Sequence, residues 1–172
     1  MTEDMLKDPR ITAVGLLFEA YAGLMARFAV QLHEHGLSPV EFDVLMRLAR
    51  SPCQQLRMTD LAAQTSLSTS GVTRLVDRME RNGLLTRLAC PSDRRSLFAT
   101  MTEAGRQRLH AALPGHLHLI EQWFTDQLTP PALNSLLDGL RQVRDAVNPD
   151  ATAGSADETC PPPAPSPPPN KS

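Results

Sequence analysis

Between Thr59 and Met101 two short helical stripes are followed at once by two short extended runs, an order that few folds accept. In the first stripe Leu61 and Ala62 face inward, and Thr59 reads as the residue that caps it. In the second, Val72, Leu75, Val76 and Met79 recur at helical spacing. Ser68 reads as its N-cap and Asn82-Gly83 as its stop. The turn between the stripes has helix-turn-helix length. The runs Leu84–Leu88 and Ser96–Met101 then read as strands joined by Ala89-Cys90-Pro91-Ser92-Asp93-Arg94-Arg95, a polar segment rich in turn formers. Such a hairpin projects as a wing. The predicted fold is mainly α with a small β-hairpin wing, a winged helix-turn-helix flanked by long helices.

The flanks are helical too. Ile11, Val14, Leu17, Phe18, Tyr21, Leu24, Met25, Phe28 and Leu32 form the stripe of one long helix, which Gly36 ends. Ser38-Pro39-Val40-Glu41 reads as a capping box with proline at the first helical position. The helix it opens turns Phe42, Leu45, Met46 and Ala49 inward and stops before Pro52. Thr102 starts another helix, with Leu109, Leu113, Leu117, Ile120, Phe124 and Leu128 in register and a kink expected at Pro114. Thr129-Pro130 opens a last helix bearing Leu133, Leu136, Leu137, Leu140, Val143 and Val147. The first and last helices carry apolar stripes too wide for one small lobe to cover, so a homodimer built on the terminal helices is expected.

Residues 148–172 differ in kind. Eight of the fifteen prolines fall here, with no large apolar residue besides Cys160. A segment that cannot bury a core is expected to be a disordered, proline-rich tail. The folded domain is therefore assigned to residues 1–147.

Composition narrows the function. The 172 residues are 41% apolar and 21% charged, a globular balance. No uninterrupted apolar run approaches the ~20 residues of a membrane span, and no secretory signal order opens the chain, so the cytosol is the expected location and no membrane is expected as a partner. Three scattered cysteines (Cys53, Cys90, Cys160) without a CxxC pair argue against a disulfide framework or a zinc ribbon. A net charge of −2 argues against a nonspecific nucleic-acid coat. Residues 69–95, however, hold six arginines against three acids, a local excess suited to touching phosphate through one face.

On the helix from Ser68 to Asn82 the outer face offers Ser70, Thr73, Arg74, Asp77, Arg78 and Arg81. Small hydroxyl residues allow close approach to bases, and Arg74 is suited to bidentate contact with guanine. Arg78 and Arg81 lie further along, where phosphates are nearer. Taken alone, these arginines read more readily as a solvated face with Asp77 and Glu80. The adjoining wing tips the balance toward DNA, because Arg94 at its tip suits a narrow minor groove. Arg95 is expected to pair with Asp93 and stiffen the turn, and it belongs to the same DNA-facing set.

The run Arg81-Asn82-Gly83-Leu84-Leu85, Asp93-Arg94-Arg95 and Met101-Thr102-Glu103-Ala104-Gly105 resembles the MarR family of bacterial regulators over about residues 10–147. The resemblance implies a homodimer with intertwined terminal helices and two winged lobes on adjacent major grooves of a pseudo-palindromic operator. It places Ser68, Ser70, Thr73 and Arg74 at bases and Arg94 at the wing tip. It also implies repression relieved by a small anionic aromatic effector, held between the dimer helices and each lobe near the second helix. Met101, Ala99 and Cys90 depart from the usual pattern, and Cys90 leaves a thiol effect at the wing open.

Other chemistries find little support. His116 and His118 point about 200° apart on a helix and do not converge on one metal ion. The first helix lacks the cysteine that a peroxide-sensing relative would use, and Cys53 and Cys90 read as incidental. There is no GxSxG, P-loop, dinucleotide turn or HExxH, so neither enzyme nor cofactor is expected. A protein-interaction adaptor and a redox- or metal-responsive regulator remain the alternatives. The basic wing tip disfavours the adaptor.

Overall fold

Helix α1 (Pro9–Glu34) opens on Asp8, whose carboxylate accepts the Arg10 amide at 2.8 Å, with Pro9 in the first turn where a missing N–H costs nothing. The structure, a computed structural model, describes residues 6–89 and 96–152. At the far end of α1, Gly36 takes a left-handed φ of 66°, and the Leu37 amide returns to the Leu32 carbonyl at 3.0 Å. Leu32 and Leu37 are both buried beside this stop, the apolar contact that accompanies such a cap.

The predicted capping box is present. Ser38 accepts the Glu41 amide, and Glu41 returns to the Ser38 amide at 2.9 Å, opening α2 (Pro39–Arg50). A 3-10 turn (Pro52–Gln54) leads to β1 (Gln55–Arg57), a strand too short to show a period in sequence. Helix α3 (Met58–Thr65) starts two residues earlier than a Thr59 cap predicts. Arg57 stands at the N-cap, no side chain caps the helix, and Thr59 lies inside it. Helix α4 (Thr69–Arg81) has the expected cap, with Ser68 accepting from the Gly71 amide at 3.1 Å.

Strands β2 (Leu85–Ala89) and β3 (Leu97–Met101) form the hairpin, and β1 adds to its other side in the order β1-β3-β2. Leu85 faces Met101 and Ala89 faces Leu97, while Leu56 faces Ala99. The wing is thus rooted in the core through a third strand. Cys53 and Gln54, just before β1, both have positive φ, at 58° and 56°. Cys53 is one half of a disulfide, where an incidental thiol was expected, and its partner lies outside the described residues. Spacing along a chain does not report which sulfurs a fold brings together.

Helix α5 (Glu103–Trp123) is capped by Thr102, which accepts from the Gly105 amide and donates to the Gly83 carbonyl at 2.6 Å. It continues through Pro114 but ends at Trp123, short of Leu128, where a 3-10 turn (Thr125–Gln127) intervenes. Helix α6 (Pro130–Val147) buries none of its residues. Packing does not stop at Asn148. The Asn148 amide group bonds Ser66 Oγ at 3.1 Å, and a 3-10 turn (Pro149–Thr152) follows, its Ala151 carbonyl accepting from Arg47 at 3.2 Å. Proline composition marked this turn as tail, yet it docks through backbone and polar contacts that carry no apolar signature.

One core joins Leu32, Leu37, α2, the inner faces of α3 and α4, the sheet, and Leu109 and Ala112 of α5. Gly105 is where α5 crosses this core most closely, since a Cβ there would run into the Leu84 carbonyl oxygen. In an open helix Gly→Ala stabilises by up to ~1 kcal/mol. At Gly105 the sign reverses. Gly105→Ala is expected to cost about 1–3 kcal/mol, read as a lower urea midpoint, and an unchanged midpoint contradicts the close approach.

Candidate nucleic-acid interface

Helix α4 docks by Val72, Leu75, Val76 and Met79, all buried, and turns the opposite face outward. Ser68, Ser70, Thr73, Arg74, Arg78 and Arg81 are exposed there. The small hydroxyls are already engaged locally. Ser68 Oγ lies 3.2 Å from Ser70 Oγ, and Thr73 Oγ1 donates to the Thr69 carbonyl at 2.8 Å. Arg74 forms no hydrogen bond or ion pair among the described residues. It is the free guanidinium at the middle of the face.

The other arginines are not equivalent. Arg78 Nε bonds Glu41 Oε1 of α2 at 2.9 Å. Arg81 Nε donates to the Asp77 carbonyl at 3.3 Å. Arg87, from β2, is mostly buried and reaches back to α4, bonding Asp77 at 2.6 Å and Glu80 at 2.7 Å and also donating to the Thr73 carbonyl. The acids that seemed to belong to a solvated face with the α4 arginines therefore belong to Arg87. The sequence reading missed this residue's role. Its only trace was two acids three residues apart on α4 with an arginine on the following strand.

Between α4, the start of α3 and the wing lies an open groove of about 480 Å³ lined by Arg57, Thr59, Thr73, Arg87 and Ser96. The wing tip itself, residues 90–95 with Cys90, Asp93, Arg94 and Arg95, lies outside the described residues.

A second feature lies behind the interface. A cavity of about 600 Å³ sits between α1, α2 and α5, walled by Tyr21, Met25, Phe28, Phe42, Met46 and Leu117, with Arg47 and Arg50 among its lining residues. His116 lies in its wall, buried, with the Phe28 ring 4.5 Å and the Phe42 ring 4.4 Å from its own. Its Nδ1 is buried without a hydrogen-bond partner among the described residues. Desolvation holds the imidazole below its ordinary pKa, so the neutral form is favoured. A depressed folded pKa means the associated stability is full above the ordinary histidine range and is lost as pH falls through it. His118, two residues on, is exposed and lines a different groove with Gln31 and Glu34.

Arg47 ties the cavity wall to its surroundings. Its Nε bonds Asp43 at 2.8 Å, and its Nη1 bonds Gln64 of α3 at 3.3 Å and the Ala151 carbonyl at 3.2 Å. Glu41, on the same helix, feels opposing effects. Burial pushes its carboxyl up, but the Ser38 hydrogen bonds and Arg78 together hold it below the usual carboxylate value.

The three-stranded wing, the helix-turn-helix and the bare polar face of α4 define a winged helix-turn-helix DNA-binding protein. The MarR family model matches residues 35–96. The transcriptional regulator MhqR of Bacillus subtilis (strain 168) is 35% identical over 107 residues, 62% of this chain and 72% of that protein. The homoprotocatechuate degradative operon repressor of Escherichia coli is 30% identical over 90 residues, 52% of this chain and 60% of that protein. The crystal structure of Sco3205, a MarR family regulator of Streptomyces coelicolor in complex with DNA, superposes with a TM-score of 0.75 at 33% identity, covering 87% of this chain and 90% of that one. This chain belongs to the MarR family of transcriptional regulators.

The Arg87 contacts predict their own test. Arg87→Ala removes the link from β2 to α4 and leaves Asp77 and Glu80 unpaired beside each other. The acids are more than one-third exposed, so the expected stability loss is about 1–2 kcal/mol rather than that of a buried pair. Faster amide exchange across β2 should accompany it. Wild-type stability with unchanged β2 exchange would show that the wing is held by its strands alone.

Proposed function

We propose that this chain is a ligand-responsive repressor that binds a pseudo-palindromic operator as a homodimer. The observation that carries the DNA reading is the exposed row on α4, with a free Arg74 at its centre and the wing held beside it by Arg87. In this reading Ser68, Ser70, Thr73 and Arg74 meet base edges, Arg78 and Arg81 meet phosphates, and Arg94 and Arg95 serve at the wing. The relative named as an operon repressor supports repression as the sign of control.

Dimerisation rests on α1. Among the described residues it is the one helix long and apolar enough to cross a membrane, with an 18-residue window of mean hydropathy 1.5, none of it buried. No continuous run signals this, because Gly, Ala and single charges interrupt it. The inward part of its stripe, Met25, Phe28 and Leu32, packs on the cavity and core. The same stripe continues through Tyr21, Phe18, Val14 and Ile11, exposed at 50–65%. Leu16 and Val30 add a second apolar face, at 60% and 66% exposure. A helix apolar on several sides requires cover, and the bare face of α6 offers it from a second copy.

The cavity suits an aromatic anion. Its walls are aromatic and aliphatic, Arg47 and Arg50 outweigh the lining carboxylate of Asp43, and the His116 Nδ1, unpaired among the described residues, offers a buried polar contact. Helix α2 carries both the cavity wall and the contacts to α3 and α4 through Arg47 and Glu41. A ligand that shifts α2 therefore shifts the lobe against its partner, away from the ~34 Å spacing that successive major grooves demand.

Two experiments test this. On matched and scrambled operator DNA, Arg74→Ala should lose about 1–3 kcal/mol of discrimination at one position per half-site. Arg94→Ala should weaken binding to all sequences and reduce the salt slope by about one. Sedimentation should find two chains per operator. One chain per site, or full base preference in Arg74→Ala, contradicts the reading. The second experiment titrates a panel of aromatic carboxylates and phenols. At least one should weaken operator binding by about 1–3 kcal/mol. His116→Phe should blunt that response and leave ligand-free DNA affinity intact. A panel without effect removes the effector from the proposal.

A further inference from the structure

Glu41 does more than a helix cap requires. A capping box uses one acceptor on the N3 side chain to satisfy the N-cap amide. Here Oε2 alone does this, accepting from the Ser38 amide at 2.9 Å and from Ser38 Oγ at 2.7 Å. That leaves Oε1, which accepts from Arg78 Nε at 2.9 Å, thirty-seven residues on. The carboxylate is almost wholly buried, with its side chain 8% exposed, whereas that of Arg78 is 49% exposed. The buried end of this pair is rigid and the outer end is open.

The geometry at Arg78 is selective. Its Nε is committed, while neither Nη group has a partner among the described residues. Arg74, Arg78 and Arg81 lie four and three residues apart and share one side of α4. A free arginine spreads its guanidinium over many rotamers. One held at Nε by a fixed carboxylate keeps its outer N–H groups pointed in one direction, and binding then costs less ordering.

We propose that Glu41 is a positioning residue for DNA binding, holding Arg78 by Nε so that its Nη groups meet a backbone phosphate. This rests on the reading above that α4 faces DNA. A lysine could not substitute, because a single ammonium group cannot reach inward to Glu41 and outward to phosphate as a guanidinium does.

The test uses the full chain and a mixed-sequence DNA duplex, since a phosphate contact needs no operator. Affinity is measured across a salt series for wild type, Arg78→Gln, Arg78→Lys, Glu41→Gln, Ser38→Ala and the Glu41→Gln/Arg78→Gln double variant, each checked for helicity and melting. Arg78→Gln should lose about tenfold in affinity and about one unit of salt slope. Glu41→Gln should lose affinity in the same direction, and the double variant no more than Arg78→Gln alone. Arg78→Lys, which keeps the charge, should still bind more weakly than wild type. Ser38→Ala removes one of the two anchors of Oε2 but keeps the carboxylate and the Ser38 amide, so it should lose less affinity than Glu41→Gln. If Arg78→Gln binds normally, Arg78 does not touch DNA and both readings of it fail. If Arg78→Gln is weakened while Glu41→Gln is not, the DNA face stands and the positioning role is overturned. Additive losses in the double variant, or a Ser38→Ala loss equal to that of Glu41→Gln, overturn it as well. Should Glu41→Gln melt too low to assay, Arg78→Lys decides, and wild-type affinity there is the refuting result.

Discussion

The contact between Arg87 and the two acids of α4 is what makes one surface out of two elements. A hairpin standing off a small sheet has little apolar area with which to fix its angle. The β2 arginine meets Asp77 and Glu80 and also donates to the Thr73 carbonyl, so it grips α4 at three places along the helix. Those acids would otherwise stand unpaired among Arg74, Arg78 and Arg81 on the outer side of α4. The same bonds therefore tie β2 to α4 and offset negative charge on the exposed side of α4.

Helix α2 plays a comparable part on the inner side. Phe42 and Met46 border the cavity, while Val44, Leu45 and Leu48 are completely buried in the core. Its charged residues leave the helix in two directions, Glu41 to α4 and Arg47 to α3 and the turn after α6. A close-packed helix cannot deform gradually, so a change on the cavity side is transmitted as movement of the whole element. The cavity wall and the contacts to α3 and α4 are thus carried by one helix.

The terminal helices follow a different logic. Beyond the end of α1 at residues 25–32, much of their apolar surface is exposed, and α6 touches the lobe chiefly through the turn that follows it. The chain thus divides its apolar side chains between a core of its own and an exposed face on the terminal helices.

Much of this was legible in the sequence. The change from helical stripes to two extended runs, the Ser38 box, the Ser68 and Thr102 caps and the Gly36 stop are decided by neighbours within about four residues, and each appears where its residues place it. The outward row on α4 followed from the same periodicity. Contacts across the chain were not legible. Strand β1 is too short to show a period and exists because β3 offers it a partner. The pairing of Arg87 with Asp77 and Glu80, of Glu41 with Arg78, and of Arg47 with the Ala151 carbonyl depends on helices crossing at particular distances, which no local pattern encodes. His116 is an ordinary polar residue in sequence, and only packing against two phenylalanine rings from other helices buries its imidazole and lowers its pKa. Local backbone preferences determined the elements, whereas the partners of each charge were decided by tertiary packing, because opposite charges separated along the chain select one another only after burial has set their spacing.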